Sequence, residues 1–220
     1  MLRQLYNGYA DQAGYYDICI QIYHAADYRN ATDIRATWTN LVEQLHIEAI
    51  EQQHTQPWEL VAENVRTLGR RLNCSEITFP IPTLLPLLLQ YDITTSAERA
   101  REAGKTGEVV NAPQTWVLDI FLELHVPCES LVAVLETLYW SDEPPFAGRN
   151  KRIIAKHLVY VIEKWFEDTS RHGVVFGGEE NTIAVADTLK EVLSGAALEE
   201  GSEWMERGRV LRATVESMLR

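Results

Sequence analysis

The chain has 220 residues, 46% of them hydrophobic and 24% charged, a balance that excludes a disordered or fibrous protein. At this length about 70% of the unfolded surface can be buried without help from a metal or a disulfide. Twenty Lys and Arg stand against 32 Asp and Glu, and a net charge of -12 argues against direct nucleic-acid binding, because phosphate backbones repel such a surface unless basic groups are segregated.

The N-terminus lacks the charged, apolar and small-residue order of a secretory signal, and no apolar run reaches the ~18 residues of a membrane span. A soluble intracellular protein is predicted. The three cysteines, Cys19, Cys74 and Cys128, are dispersed and form no C-x-x-C pair, so they read as small apolar residues in a reducing compartment. Met1 runs straight into a helical pattern, as expected of a piece of a longer chain.

Helical spacing governs the apolar residues from the start. Tyr15, Ile18, Cys19, Ile22 and Ala26 form one stripe, Ile34, Trp38, Leu41, Leu45 and Ala49 a second, and Val61, Val65, Leu68 and Leu72 a third. The stretch TFPIPTLLPLLLQYD follows. Its apolar run from Ile81 to Leu89 is too short to cross about 30 Å of hydrocarbon at 1.5 Å per residue. Pro80 and Pro82 predict an extended lead-in, Thr83 a cap and Pro86 a first-turn proline. Leu84, Leu85, Leu87, Leu88 and Leu89 then surround the helix, which predicts burial between neighbours and leaves Phe79 and Ile81 as candidate partner contacts.

Further stripes are Trp116, Val117, Ile120, Phe121 and Leu124; Leu131, Val134, Leu135 and Leu138; Ile154, Leu158, Val161, Ile162 and Trp165; Leu189, Val192 and Leu193; and Trp204, Gly208, Leu211, Val215 and Met218. Leu118 and Leu122 make TWVLDIFLEL apolar on two sides. Asn30 with Asp33 resembles a cap, Pro57, Pro113 and Pro127 suit first turns, and Gly104, Gly173 and Gly201 suit helix ends. Residues 104–112 and 173–181 read as longer joints. The sum is an all-α chain of about ten helices without a sheet, stacked as antiparallel pairs in an α-solenoid, a single domain over 1–220. No fixed-period repeat is visible.

Chemical motifs fail on their own requirements. Gly104-Lys105-Thr106 ends like a phosphate-binding loop, but Arg99 stands where the first glycine is needed and a helix, not a strand, precedes it. Glu43 and His46 make one E-x-x-H pair, whereas di-iron bundles need two with further carboxylates. The six histidines show no zinc-protease spacing, and no G-x-S-x-G occurs. No cofactor, metal or catalytic residue is therefore predicted. Arg149, Lys151, Arg152 and Lys156 cluster at a helix start, where the macrodipole disfavours cations, and nearby Asp142 and Glu143 are their expected answer. Glu179, Glu180, Asp187, Glu191, Glu199, Glu200, Glu203 and Glu206 form an acidic face expected to be solvated.

Three stretches, LYNGYADQAGYYDICIQIYHAADY with ATWTNLVEQ, LGRRLNCSEITFPIPTLLPLL, and TWVLDIFLELHVPCESLVAVLETLYWSDEPPF, together resemble the C-terminal solenoid of the large inner-ring scaffold nucleoporins of the nuclear pore complex, over roughly residues 5–165. Pro145-Phe146-Ala147 departs from the aromatic expected soon after that proline. The resemblance implies an N-terminal β-propeller ahead of the solenoid in the full protein, and a non-enzymatic role at the nuclear envelope. It further implies scaffold and linker nucleoporins as partners, in support of protein and mRNA transport, with membrane proximity only through the assembly. Trp140 and Phe146 join Phe79 and Ile81 as candidate contacts. Two alternatives stay open: another solenoid scaffold such as a vesicle coat, and an all-α enzyme using scattered groups such as Glu43, His46 and His157.

Overall fold

The structure, a computed structural model, describes residues 59, 62, 63, 65, 66, 81–106, 114–170, 175–195 and 197–219. Residues 59, 62, 63, 65 and 66 are helical, and from Ile81 onward six α-helices are delineated among the described residues: α1 (Ile81–Thr106), α2 (Trp116–Glu123), α3 (Cys128–Trp140), α4 (Lys151–Ser170), α5 (Glu179–Ser194) and α6 (Glu203–Met218). Short 3-10 turns at Gly148–Asn150 and Val175–Gly177 precede α4 and α5, and no strand occurs among the described residues. The stripes and the cap expected before Val61 lie outside the described residues, as do Phe79, Pro80, Pro113 and Gly173. The chain divides into two compact units, Met1–Leu88 and Leu89–Arg220, with the division inside α1.

In the first unit Ala62, Val65, Leu84, Leu85, Leu87 and Leu88 are buried. The proline-rich lead-in differs from expectation. α1 already begins at Ile81, so Ile81 and Pro82 are helical. The reason is local: the first four N–H groups of a helix have no internal partner, so Pro82 loses nothing there and its fixed φ suits the turn. Pro86 lies inside α1, where its missing N–H deletes only the bond to the Pro82 carbonyl. At its other end α1 runs through Gly104 to Thr106, past the expected stop.

The second unit is built around α4. Ile154, Ala155, Leu158, Val159, Val161 and Ile162 are fully buried on more than one face, so this helix needs neighbours on several sides. They are α3, α5 and α6. Cys128 at the start of α3 feels Asp168 near the end of α4, which makes that pair antiparallel. Between α4 and α6 the links advance together, from Arg152 with Glu199, through Tyr160 against the Trp204 ring, to Glu163 with Arg207, so these helices run parallel. Glu136 with Thr188, then Tyr139 beside Gly195, set α3 parallel to α5 in the same way. Two successive hairpins, α3–α4 and α5–α6, are therefore stacked in register, which is the building step of a solenoid.

The joints are tightly made. α2 ends in a Schellman arrangement: Val126 N donates to Phe121 O at 3.0 Å and His125 N to Leu122 O at 3.0 Å, with His125 at φ 58 where glycine is usual. Pro127 follows as the cap residue of α3. Residues 173–181 could form a short turn or a loose loop; their described part takes the turn and holds Phe176, fully buried at φ 51 with its ring 5.0 Å from that of Trp165. Phe176 N donates to Thr169 Oγ1 at 3.0 Å, and Asn181 Nδ2 donates to Phe176 O at 2.9 Å. Burying a phenyl ring offsets the ~1–3 kcal/mol of a left-handed non-glycine residue. Gly201 does not close a helix; at φ 75 it turns the chain into Ser202, whose hydroxyl accepts from Met205 N to cap α6. Met218, expected on the inner stripe of α6, is 47% exposed on its final turn.

Gly208 marks a close crossing of α6 with α5 and α4. A Cβ there would lie 2.8 Å from Leu193 Cδ2 and 3.4 Å from Val159 Cγ2. Leu193 is half-buried and its tip can move, so alanine trades mild crowding against about 1 kcal/mol of helix propensity. A larger side chain meets fully buried Val159. Gly208→Ala is expected to stay within about 1 kcal/mol of the parent in urea unfolding, and Gly208→Leu to lose 2 kcal/mol or more, at the upper part of the ~1–3 kcal/mol range for overpacking. Equal midpoints for the parent and the leucine variant would contradict this crossing.

Candidate functional site

The polar groups of the second unit converge where α2 and α6 begin, against the middle of α4. Gln114 Oε1 accepts from the Trp204 indole at 3.0 Å and from Lys156 Nζ at 3.4 Å. Asp119, in the first turn of α2, accepts from Thr115 Oγ1 at 3.1 Å and from the Tyr160 hydroxyl at 2.7 Å. The Trp116 indole donates to Asp92 of α1 at 2.7 Å. On the α4–α6 side Arg207 pairs with Glu163 and Glu203, its guanidinium 4.3 Å from the centre of the Trp204 ring. These bonds tie four helices together through side chains that keep one end in apolar contact.

A catalytic reading of this cluster meets its titration behaviour. Burial pushes the His157 imidazole below its ordinary value; the Ile153 carbonyl, Asp92 and Asp119 pull it up less strongly, and Lys156 adds a downward push. The bond at 2.7 Å to Ile153 O then belongs to a neutral ring donating from Nδ1, and Nε2 has no partner among the described residues. Burial, followed by the bond to Asp119, pushes Tyr160 up to about 12. Glu163 holds Arg207 above its ordinary range. An acid–base catalyst wants a group near the working pH, and these shifts lead away from it, toward fixed donors and acceptors. Glu43 and His46 lie outside the described residues, so their convergence with His157 is not part of this geometry. Among the described residues no three His, Cys, Asp or Glu side chains come together to hold a metal ion. Cys128 is a half-buried free thiol, raised by burial.

The outer surface is organised differently. Two of the cations at the start of α4 are paired, Lys151 with nearby Asp142 at 3.1 Å and Arg152 with distant Glu199 at 3.4 Å, so the acidic face is partly consumed by pairing within the chain. Glu200 and Glu203 likewise meet Arg209 and Arg207. Such exposed pairs contribute ~0–1 kcal/mol each. Of the four candidate contacts, Trp140 is 58% exposed, Ile81 is half-buried and Phe79 lies outside the described residues. Phe146 is turned inward: the turn in which Phe146 N donates to Glu143 O, with Asn150 Nδ2 donating to Pro145 O at 2.6 Å, tucks the ring away. Ile183 and Val210 are exposed apolar residues that helical spacing alone did not mark as outward. No described helix is long and apolar enough to cross a membrane.

Comparisons with known proteins place these features. A family profile described as non-repetitive/WGA-negative nucleoporin C-terminal matches residues 1–205. NUP170 of Chaetomium thermophilum is 28% identical over 239 residues, taking in 96% of this chain and 16% of that protein. A probable nucleoporin of Schizosaccharomyces pombe is 31% identical over 175 residues, 79% of this chain and 12% of that one. The chain thus spans about a sixth or less of these relatives. Among solved structures, the Chaetomium thermophilum Nup170 CTD–Nup145N complex superposes with a TM-score of 0.65 at 28% identity, covering all of this chain and 42% of the other. Nup170 SOL of the same organism gives 0.68 at 27%, covering 98% and 28%. The fold is that of an α-solenoid.

His157 supplies a direct check on the buried junction. An unfolded histidine gains its proton as the pH falls below about 6.5, while the folded one resists, so the unfolded state binds more protons and stability drops on acidification. The Tm is expected to fall between pH 7 and pH 5, and His157→Leu to flatten that fall. Parallel pH profiles for the two proteins would contradict a buried neutral imidazole.

Proposed function

From the premise that this chain belongs to the non-repetitive/WGA-negative nucleoporin C-terminal family, and so to the scaffold of the nuclear pore complex at the nuclear envelope, we propose that it binds linker and scaffold nucleoporins of the inner ring. In this reading residues 1–220 form one C-terminal solenoid domain that supports passage of protein and mRNA and catalyses no reaction. The observation that carries it is the family match across residues 1–205, uninterrupted at the division between the two compact units. The complex of a similar Nup170 CTD with Nup145N supports a linker nucleoporin as partner. A vesicle-coat solenoid would share the helix pairs, but the relatives reported above are nucleoporins.

Stacked helix pairs suit this work physically. Their cores are closed by neighbouring repeats, so the outer grooves are free to receive a short segment whose apolar anchors dock between helices. The 220-residue chain, immobilised and incubated with the Nup145N counterpart of its own organism, is expected to retain it, and a fluorescent fusion to concentrate at the nuclear rim. Failure to bind, together with a diffuse signal, would contradict the proposal.

A further inference from the structure

Two helices of the second unit present outward stripes side by side. On α3 the stripe runs Ala133, Glu136 and Trp140, at the three- and four-residue steps that share one face. On α5 it runs Ala184, Asp187, Thr188 and Glu191 by the same spacing. Thr188 Oγ1 donates to Glu136, and Tyr139 lies beside Gly195, so the stripes are parallel and adjoining. Ala133 and Ala184 leave low points on both helices, while Trp140, 58% exposed, stands as an apolar wall at one end.

The charge on the two helices of this trough is predominantly negative. α3 carries Glu129 and Glu136 with no Lys or Arg, and α5 carries Glu179, Glu180, Asp187 and Glu191 against Lys190 alone. Asp187 and Glu191 are exposed and make no ion pair among the described residues, unlike Glu199, Glu200 and Glu203. An indole face beside unpaired carboxylates suits a cation carried on an apolar stem or set next to an apolar residue. Nucleic acid and anionic lipid surfaces are repelled by the same charges.

We propose that the α3–α5 trough docks a short protein segment in which Lys or Arg stands next to an aliphatic or aromatic residue, the apolar part against Trp140 and the cation toward Asp187 and Glu191. This inference rests on the scaffold reading and adds to it the place and the chemistry of the partner. Buried aromatic anchors dominate such interfaces, and flanking charges set attraction and salt dependence.

The test uses the 220-residue chain and, as probe, the Nup145N counterpart of its organism, with affinity measured by calorimetry at low and high salt. Trp140→Ala is expected to weaken binding at least tenfold. The double variant Asp187→Lys with Glu191→Lys is expected to do the same, and to recover part of the loss when the cations of the probe are changed to Glu. Val210→Ala, on the outer face of α6, is expected to leave affinity unchanged, and circular dichroism should show every variant folded. Binding by the parent that neither Trp140→Ala nor the charge reversal alters would overturn the trough while leaving the scaffold reading standing. No binding by the parent would overturn the trough and, together with a diffuse signal in place of the nuclear rim, the scaffold reading as well.

Discussion

A helix that is apolar on several faces cannot be stable with one neighbour, and α4 is such a helix. With Ile154, Ala155, Leu158, Val159, Val161 and Ile162 all fully buried, α4 requires α3 on one side and α5 and α6 on others. Each buried aliphatic side chain stabilises by about 1.5–3 kcal/mol relative to exposure, so the stacking of the two hairpins is driven mainly by this one helix. The close crossing at Gly208 and the aromatic lock of Phe176 on Trp165 and Phe166 are ways of bringing neighbours close enough to meet that demand.

Hydrophobic burial is non-directional and would tolerate slippage along the helix axes. The polar junction of the starts of α2 and α6 with the middle of α4 supplies the direction. Gln114, Asp119, Tyr160, Trp204 and the Glu163–Arg207 pair fix which turn faces which, and hydrogen bonds to charged groups of this kind contribute ~1.5–3 kcal/mol each when partly buried. His157 shows what such a junction demands: its ring fills space as a neutral group, one nitrogen bonded to Ile153 and the other without a partner among the described residues. The titratable groups here act as fixed donors and acceptors between helices, which is the use a scaffold has for them.

The helical stripes were legible because burial on one face leaves a periodic mark; Ile154, Leu158, Val161, Ile162 and Trp165 are all buried as their spacing implies, and so are the five leucines between Leu84 and Leu89. What spacing did not reveal depended on distant partners or on a single turn. Phe146 carries the same aromatic ring as an outward anchor, and only the turn from Glu143 to Asn150 decides that it points inward. His125 occupies a left-handed position ordinarily marked by glycine, so the end of α2 carried no punctuation. Ile81 reads as extended before a proline, yet a helix start has no need of the N–H that Pro82 lacks. Glu199 answers Arg152 from 47 residues away, a pairing no local pattern contains. Trp140 is exposed at the end of the α3 stripe, and only the fold sets that stripe beside α5.

The layering separates the two tasks of the molecule. α2 and α6 meet α4 at the polar junction, whereas α3 and α5 carry the outward stripes. Hydrogen exchange of the 220-residue chain, alone and in the presence of the Nup145N counterpart of its organism, tests this division most directly. The account predicts that α4 amides exchange slowest in both states and that added protection on binding falls on α3 and α5. Added protection confined to α2 and α6, or an α4 that exchanges as fast as the outer helices, would contradict it.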